Sequence, residues 1–77
     1  MKIKMYAVLK DYFPATLEIA SDIKAISELQ KVLEDQNPSA KAILNLSRFA
    51  VDDAFVSLDF ALKGGETVSV IPPSSGG

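Results

Sequence analysis

The residue types that most often carry chemistry are largely missing from this chain of 77 residues. It contains no cysteine and no histidine. Their absence excludes Ser-His-Asp and Cys-His catalytic sets, disulfide bonds, and any metal held by cysteine or histidine. The remaining candidates are carboxylates, lysines, glycine-rich turns and the C-terminal segment.

Two short motifs resemble chemical sites but are better explained as turns. Asp52-Asp53 is a carboxylate pair, yet adjacent carboxylates between two apolar segments are typical of a solvated turn. Gly64-Gly65 is not followed by the helix N-terminus that a phosphate-binding loop requires, and a turn before a last strand accounts for it. The lysines are spread along the chain, and their spacing marks none of them as a Schiff-base lysine.

The C-terminal segment offers a more specific possibility. Pro72-Pro73 stops a preceding strand because proline cannot donate to a β-ladder, and Ser74-Ser75-Gly76-Gly77 predicts a flexible tail over 72–77. Since glycine lacks a Cβ atom, a Gly-Gly end can thread a narrow channel toward another protein's active site, where its carboxylate could be activated as an acyl-adenylate. From composition alone, a frayed end without a function is the alternative.

The elements that position this tail begin with two strands. Residues 2–9 alternate between apolar and polar positions, which predicts a strand with Ile3, Met5, Ala7 and Leu9 on one face. Residues 16–19 alternate again, after Pro14 in a short connection. Two strands this close in sequence predict a hairpin.

A helix is expected next. Ser21 and Asp22 are good N-cap residues, and an apolar stripe follows at helical spacing. Its members are Ile23, Ile26, Leu29 and Leu33. Asn37-Pro38 ends this helix and can cap a second, short helix within 39–46.

The second half of the chain reads as short strands. A strand at 49–51, a turn at Asp52-Asp53 and a returning strand at 54–57 precede the Gly64-Gly65 turn and a last strand at 67–71. This order predicts an α+β fold with a mixed sheet and one main helix across one face. If the first and last strands pair in parallel, the connection that contains the helix supplies the crossover.

The length of the chain limits the number of domains, and its charge excludes some classes of function. We expect one domain at 1–71 followed by the tail at 72–77. Eight basic and ten acidic residues give a net charge of −2, which argues against a general nucleic-acid binder and against binding to anionic membranes. The start of the chain matches no signal peptide and no stretch approaches a membrane span, so a cytosolic location is expected.

The sequence resembles the MoaD-like small subunits of molybdopterin synthase, within the MoaD/ThiS sulfur-carrier family. The ending ETVSVIPPSSGG matches the family's acidic turn, apolar strand, Pro-Pro, two variable residues and Gly-Gly. IKMYAVLKDYF resembles the first strand with its basic-acidic pair, here Lys10-Asp11, while ISELQKVL and AVDDAFVSLDFALKGGETV resemble the helix and the later strands. Asp52 stands where many members carry Asn, and Gly64-Gly65 replaces a more usual Asp-Gly. The resemblance implies a ubiquitin-like β-grasp fold.

The resemblance also implies a sulfur carrier that performs no catalysis on its own. A MoeB-like enzyme would adenylate the Gly77 carboxylate with ATP, and a sulfurtransferase or cysteine desulfurase route would convert it to a thiocarboxylate. The tail residues Pro73, Ser74, Ser75 and Gly76 would then lie inside the large, MoaE-like subunit of a heterotetrameric synthase. There, sulfur would pass to cyclic pyranopterin monophosphate to form the molybdopterin dithiolene. No metal or cofactor is expected to bind this chain itself.

Other functions remain open at this point. The same fold and tail would suit a ThiS-like carrier for thiamin or a carrier for thio-tRNA synthesis, although ThiS chains less often have Pro-Pro before the tail. A ubiquitin-like protein modifier joined through Gly77 to lysines is a second alternative, and a plain interaction module is a third. Removing Gly76-Gly77 would abolish sulfur transfer by a carrier but would leave binding by a plain module intact.

Strand parity predicts the surface that meets a partner. If Met5, Val56 and Val70 face the core, their chain neighbours Tyr6, Phe55 and Ile71 face outward. Large apolar residues then stand where polar ones are expected, and if the three strands are neighbours these residues form one patch near the root of the tail. The resemblance implies the same positions as the interface with the activating enzyme and the large subunit.

Overall fold

The computed structural model describes residues 1–20 and 22–73, which form a five-stranded mixed sheet and two α-helices. The strands are β1 (Lys2–Met5), β2 (Thr16–Glu18), β3 (Arg48–Val51), β4 (Ala54–Val56) and β5 (Thr67–Ile71), and the helices are α1 (Ile26–Gln36) and α2 (Lys41–Leu46). The strand order is β2-β1-β5-β3-β4. β1 and β5 pair in parallel, so the condition considered from the sequence is met and the connection that contains α1 is the crossover; the other neighbours pair antiparallel.

The core lies between one face of the sheet and α1. Ile3, Val68 and Val70 of the sheet are fully buried and cluster with the apolar stripe of the helix. That stripe consists of Ile26, Leu29 and Leu33. We call this side of the sheet the inner face and the opposite side the outer face.

The first strand is shorter than predicted. β1 ends at Met5, and a 3-10 turn at Ala7–Asp11 follows, so the prediction of a strand to residue 9 is wrong beyond Met5. Ala7 has φ 50°, a left-handed conformation that turns the chain out of the strand. Leu9 is nevertheless fully buried. The apolar alternation therefore continued into the turn, which is why it resembled a longer strand. The antiparallel pairing of β1 with β2 confirms the predicted hairpin.

The start of α1 also differs from the prediction. The helix begins at Ile26 with Ala25 at the N-cap, not at Asp22, and Ser21 lies outside the described residues. The backbone N–H groups of Ile26 and Ser27 donate to the carbonyls of Phe60 and Leu58, at 3.1 and 2.8 Å. These distant carbonyls satisfy donors that a side-chain cap would otherwise serve, so the helix can begin without one.

The predicted second helix is confirmed. A 3-10 turn at Pro38–Ala40 leads into α2, and Asn37 is the N-cap of that 3-10 turn. The Asn37 side-chain oxygen accepts from the backbone N–H of Ser39, and its Nδ2 donates to the carbonyl of Tyr12 at 2.9 Å. One side chain therefore caps the turn and also ties it to the β1–β2 connection.

Both predicted turns in the second half are confirmed. Asp52 and Asp53 have φ values of 49° and 71°, the left-handed pair that a two-residue hairpin between β3 and β4 requires. Gly64 has φ 113°, which glycine adopts without strain. The Glu66 carboxylate accepts from the N–H groups of Lys63 and Gly64, at 2.7 and 2.8 Å, and these hydrogen bonds lower its pKa. Glu66 thus holds the turn that delivers the chain into β5.

No helix in residues 1–20 and 22–73 is long and apolar enough to cross a membrane.

Candidate functional site: the outer face and the root of the tail

The root of the tail is held by the middle strand of the sheet. β5 pairs with β1 on one side and with β3 on the other, so hydrogen bonds fix it along both edges. At its end Ile71 pairs with Arg48, Pro72 is buried and Pro73 is exposed. The chain therefore leaves the domain at Pro73 from an anchored position. Ser74, Ser75, Gly76 and Gly77 lie outside the described residues, and their roles stay predictions.

The outer face is read directly from the strand registers. One cross-strand row runs Lys4, Ser69, Ala50 and Phe55. In the next row toward the tail Ile71 pairs with Arg48, and Tyr6 follows the Met5–Val70 pair on the β1 side. Every residue of these rows alternates with a neighbour that faces the core.

The side chains that strand parity places outward are exposed to different degrees. Tyr6 is 43% exposed, Phe55 is 52% exposed and Ile71 is half-buried. Exposed aromatic side chains near the root of the tail are the feature expected of a partner-binding face. Whether they contact a partner stays a prediction.

The patch is not continuous in the way the sequence suggested. β3 separates β4 from β5, so Ala50 and Arg48 lie between Phe55 and Ile71. Ala50 is only 6% exposed but does not belong to the core cluster, which places it under its neighbours on the outer face. The expectation of three adjacent apolar residues is therefore corrected to an apolar surface with an arginine inside it.

Arg48 is the residue that sequence reasoning missed. Its guanidinium carbon stands 3.8 Å from the centroid of the Phe55 ring, a cation–π stack between neighbouring strands. The alternation that puts Phe49 and Val51 inside also puts Arg48 outside. The predicted strand began at residue 49, so Arg48 fell just outside the predicted hairpin, whereas β3 begins at Arg48. Its position beside Ile71 depended also on the pairing of β3 with β5.

Two open depressions flank this surface. One is lined by Arg48, Phe55, Ser57 and Leu58, and the other by Lys4, Tyr6, Asp52 and Thr67 with their neighbours. Within the described ranges, no group of three or more His, Cys, Asp or Glu residues could hold a metal ion. What this part of the chain presents is a partly apolar, exposed surface beside the anchored root of the tail.

The sequence is similar to that of a characterised human protein. The chain is 35% identical over 65 residues to the molybdopterin synthase sulfur carrier subunit of Homo sapiens, an alignment that covers 80% of this chain and 73% of the human protein.

Solved structures with low sequence identity share the fold. Subunit 1 of a molybdopterin converting factor from Pyrococcus furiosus superposes with a TM-score of 0.75 at 21% identity, covering 95% of each chain. SAMP1 from Haloferax volcanii superposes with a TM-score of 0.76 at 16% identity, covering 99% of this chain and 97% of that one. A Helicobacter pylori complex of subunits 1 and 2 of molybdopterin-converting factor contains a chain that superposes with a TM-score of 0.72 at 22% identity, covering 99% and 96%. These matches confirm the predicted β-grasp fold.

A family profile settles the relationship that the sequence motifs suggested. The ThiS family profile matches residues 3–77, which include β2 to β5, all of β1 after Lys2, and the final Gly76-Gly77. Together with the human relative, this match confirms the resemblance drawn from the sequence. The chain belongs to the ThiS family.

Proposed function

We propose that this chain is the sulfur-carrier small subunit of a molybdopterin synthase. The observation that carries the proposal is the family match that extends through Gly77, combined with 35% identity to a molybdopterin synthase sulfur carrier subunit. The fold supports it, because the middle strand anchors the root of the tail and leaves Pro73 exposed.

The chemistry takes place at Gly77 and is supplied by partner proteins. In the first step a carboxylate oxygen of Gly77 attacks the α-phosphate of ATP in a MoeB-like activating enzyme, which forms the acyl-adenylate and releases pyrophosphate. In the second step a hydrosulfide ion attacks the acyl carbon, the bond from that carbon to the bridging oxygen breaks, and AMP leaves. The product is a Gly77 thiocarboxylic acid, which ionises at neutral pH.

Sulfur transfer then occurs in the large, MoaE-like subunit. Pro73, Ser74, Ser75 and Gly76 extend into its active site, because residues without bulky side chains suit a narrow channel. The thiocarboxylate sulfur becomes part of the dithiolene made from cyclic pyranopterin monophosphate, and hydrolysis returns the Gly77 carboxylate. The chain has no cysteine or histidine, so the partners provide the acid–base groups and the sulfurtransferase or cysteine desulfurase that delivers sulfur.

The outer face is part of this proposal. Tyr6, Phe55 and Ile71 would contact the large subunit and the activating enzyme in turn, since both must hold the domain while the tail reaches an active site. We place these events in the cytosol, where ATP is available, and in a heterotetramer of two small and two large subunits.

A mass measurement tests the carrier chemistry. The 77-residue chain is incubated with its cognate activating enzyme, ATP and sulfide, and its intact mass is recorded. We expect one oxygen to be replaced by one sulfur, with the change located at Gly77 by fragmentation. A chain extended by one alanine beyond Gly77 is the control, and it should keep its melting temperature but acquire no sulfur. An unchanged mass of the 77-residue chain with active enzyme would contradict the proposal.

A binding measurement decides between sulfur pathways. The large molybdopterin synthase subunit and a thiazole synthase from the same source are titrated separately with the 77-residue chain. The proposal expects saturable binding to the large subunit. Binding to the thiazole synthase alone would instead assign the chain to thiamin synthesis.

A further inference from the structure

Arg48 stands in the middle of the outer face of the free domain. Its guanidinium carbon lies over the Phe55 ring, 3.8 Å from the ring centroid, and its backbone pairs with Ile71 at the end of the middle strand. A planar guanidinium stacked on an aromatic ring loses less conformational freedom on binding than an unrestrained lysine. Arg48 is therefore an oriented positive charge beside the root of the tail.

The guanidinium of Arg48 forms no ion pair within the described part of the chain, and its neighbours across the outer face are mainly apolar. Phe55 lies on one side of Arg48, Ile71 on the other, and Ala50 is buried next along the same face. Within residues 1–20 and 22–73, the ion pair that forms joins the Met1 ammonium to Glu18, and no side-chain hydrogen bond involves Arg48. Water is what solvates its outward N–H groups in the free domain.

Covering this surface changes the environment of Arg48. A partner that buries Phe55 and Ile71 must also remove water from the guanidinium between them. Removing water from a charge is costly unless new acceptors replace it, and arginine stays charged at every physiological pH. A carboxylate offers two oxygens that match two guanidinium N–H groups, which makes it the acceptor of highest complementarity.

We propose that Arg48 is a specificity-determining residue that receives a carboxylate side chain of the large synthase subunit. This inference rests on the proposed function, since it assumes that the large subunit covers the outer face. The apolar neighbours supply affinity, while the Arg48–carboxylate pair rejects surfaces that are apolar but lack an acidic residue at the matching place.

The test measures the dissociation constant for the large subunit with Arg48 variants. Arg48→Gln keeps a polar side chain without the charge, and we expect roughly 30-fold weaker binding because the partner's carboxylate loses its counter-charge. Arg48→Glu places like charges together and should weaken binding by about a further tenfold. Arg48→Lys keeps the charge but loses the planar stack, so its affinity should fall between wild type and Arg48→Gln.

A matched control separates the local contact from net charge. Lys31→Glu makes the same charge change as Arg48→Glu, but on the exposed side of α1, which lies across the inner face. It should alter the dissociation constant less than about threefold. In a salt titration the binding of wild type should weaken with ionic strength more steeply than that of Arg48→Gln. All variants should stay folded, with the Arg48 variants melting only a few degrees below wild type, because Arg48 is exposed and the stack on Phe55 is its main contact within the domain.

The outcomes distinguish this inference from the function on which it rests. If the wild-type chain binds no large subunit, the proposed function fails. If the wild type binds and Arg48→Gln binds within threefold of it, or has the same salt dependence, the assignment of Arg48 is overturned while the carrier function stands.

Discussion

The inner and outer faces of the sheet are built from alternate residues of the same strands. On β3, Phe49 and Val51 point into the core, whereas Arg48 and Ala50 lie on the outer face. On β5, Val68 and Val70 are fully buried and Ile71 is half-buried. Most of the free energy of unfolding therefore comes from side chains of the inner face, and substitutions on the outer face should have little effect on stability. Stability and surface chemistry can therefore vary independently of each other.

The largest expected effect is on the inner face. Ile3 is fully buried, so Ile3→Ala removes apolar contacts and leaves a cavity, which should lower the free energy of unfolding by about 2–5 kcal/mol. Urea denaturation measures this loss. Its neighbour Lys4 lies on the outer face, and Lys4→Ala should change stability by only about 0.5 kcal/mol or less. Equal losses for the two variants would contradict the division between the faces.

The next effect is on binding through the outer face. Phe55 is half exposed, and Phe55→Ala should weaken binding to the large subunit by about 2 kcal/mol or more, because aromatic anchors dominate many interfaces. The loss of the Arg48 stack should cost only about 0.5–1 kcal/mol of stability. Calorimetric titration measures the first value and thermal unfolding the second.

A second phenylalanine provides the control for Phe55. Phe60 is 38% exposed and lies in the loop whose carbonyls cap α1, the helix that packs on the inner face. Phe60→Ala should leave affinity for the large subunit unchanged. A large fall in melting temperature for Phe55→Ala, with unchanged binding, would show that Phe55 serves the core. If the stack positions Arg48, the effects of Phe55→Ala and Arg48→Gln on binding should be less than additive.

Structural features that depend on neighbouring residues were predicted from the sequence, whereas features that depend on contacts with distant segments were not. The Asp52-Asp53 and Gly64-Gly65 turns, the Asn37-Pro38 boundary and β5 were predicted because turn chemistry and short-range alternation determine them. The start of α1 was not, because carbonyls from residues 58 and 60 cap it and a nearby cap residue was not needed. The end of β1 was missed because the 3-10 turn that follows it buries Leu9, so the apolar alternation of the strand continues past its last residue.

The same distinction applies to the candidate site. Parity along single strands placed Tyr6 and Phe55 outward, and both are exposed. The hairpin of β3 and β4 brings Arg48 over Phe55, and the pairing of β3 with β5 brings it beside Ile71. Alternation along a single strand could not reveal the second neighbour, because β3 and β5 are paired across a long connection.

The smallest expected effect concerns the turn that precedes β5, the middle strand of the sheet. The Glu66 carboxylate accepts two backbone hydrogen bonds, and these hold its pKa below the ordinary value of 4.5. A carboxyl group with a lower pKa in the folded state stabilises the fold above its unfolded pKa, and loses that contribution as the pH falls through the folded value. A glutamine at position 66 has only one side-chain oxygen and no charge, so it can replace only one of the two hydrogen bonds. The Glu66→Gln variant should therefore be slightly less stable than wild type at neutral pH. The difference should shrink as the pH drops below 4.5, which urea denaturation at a series of pH values would measure. A difference that stays constant across that range would mean that the charge on Glu66 does not stabilise the turn.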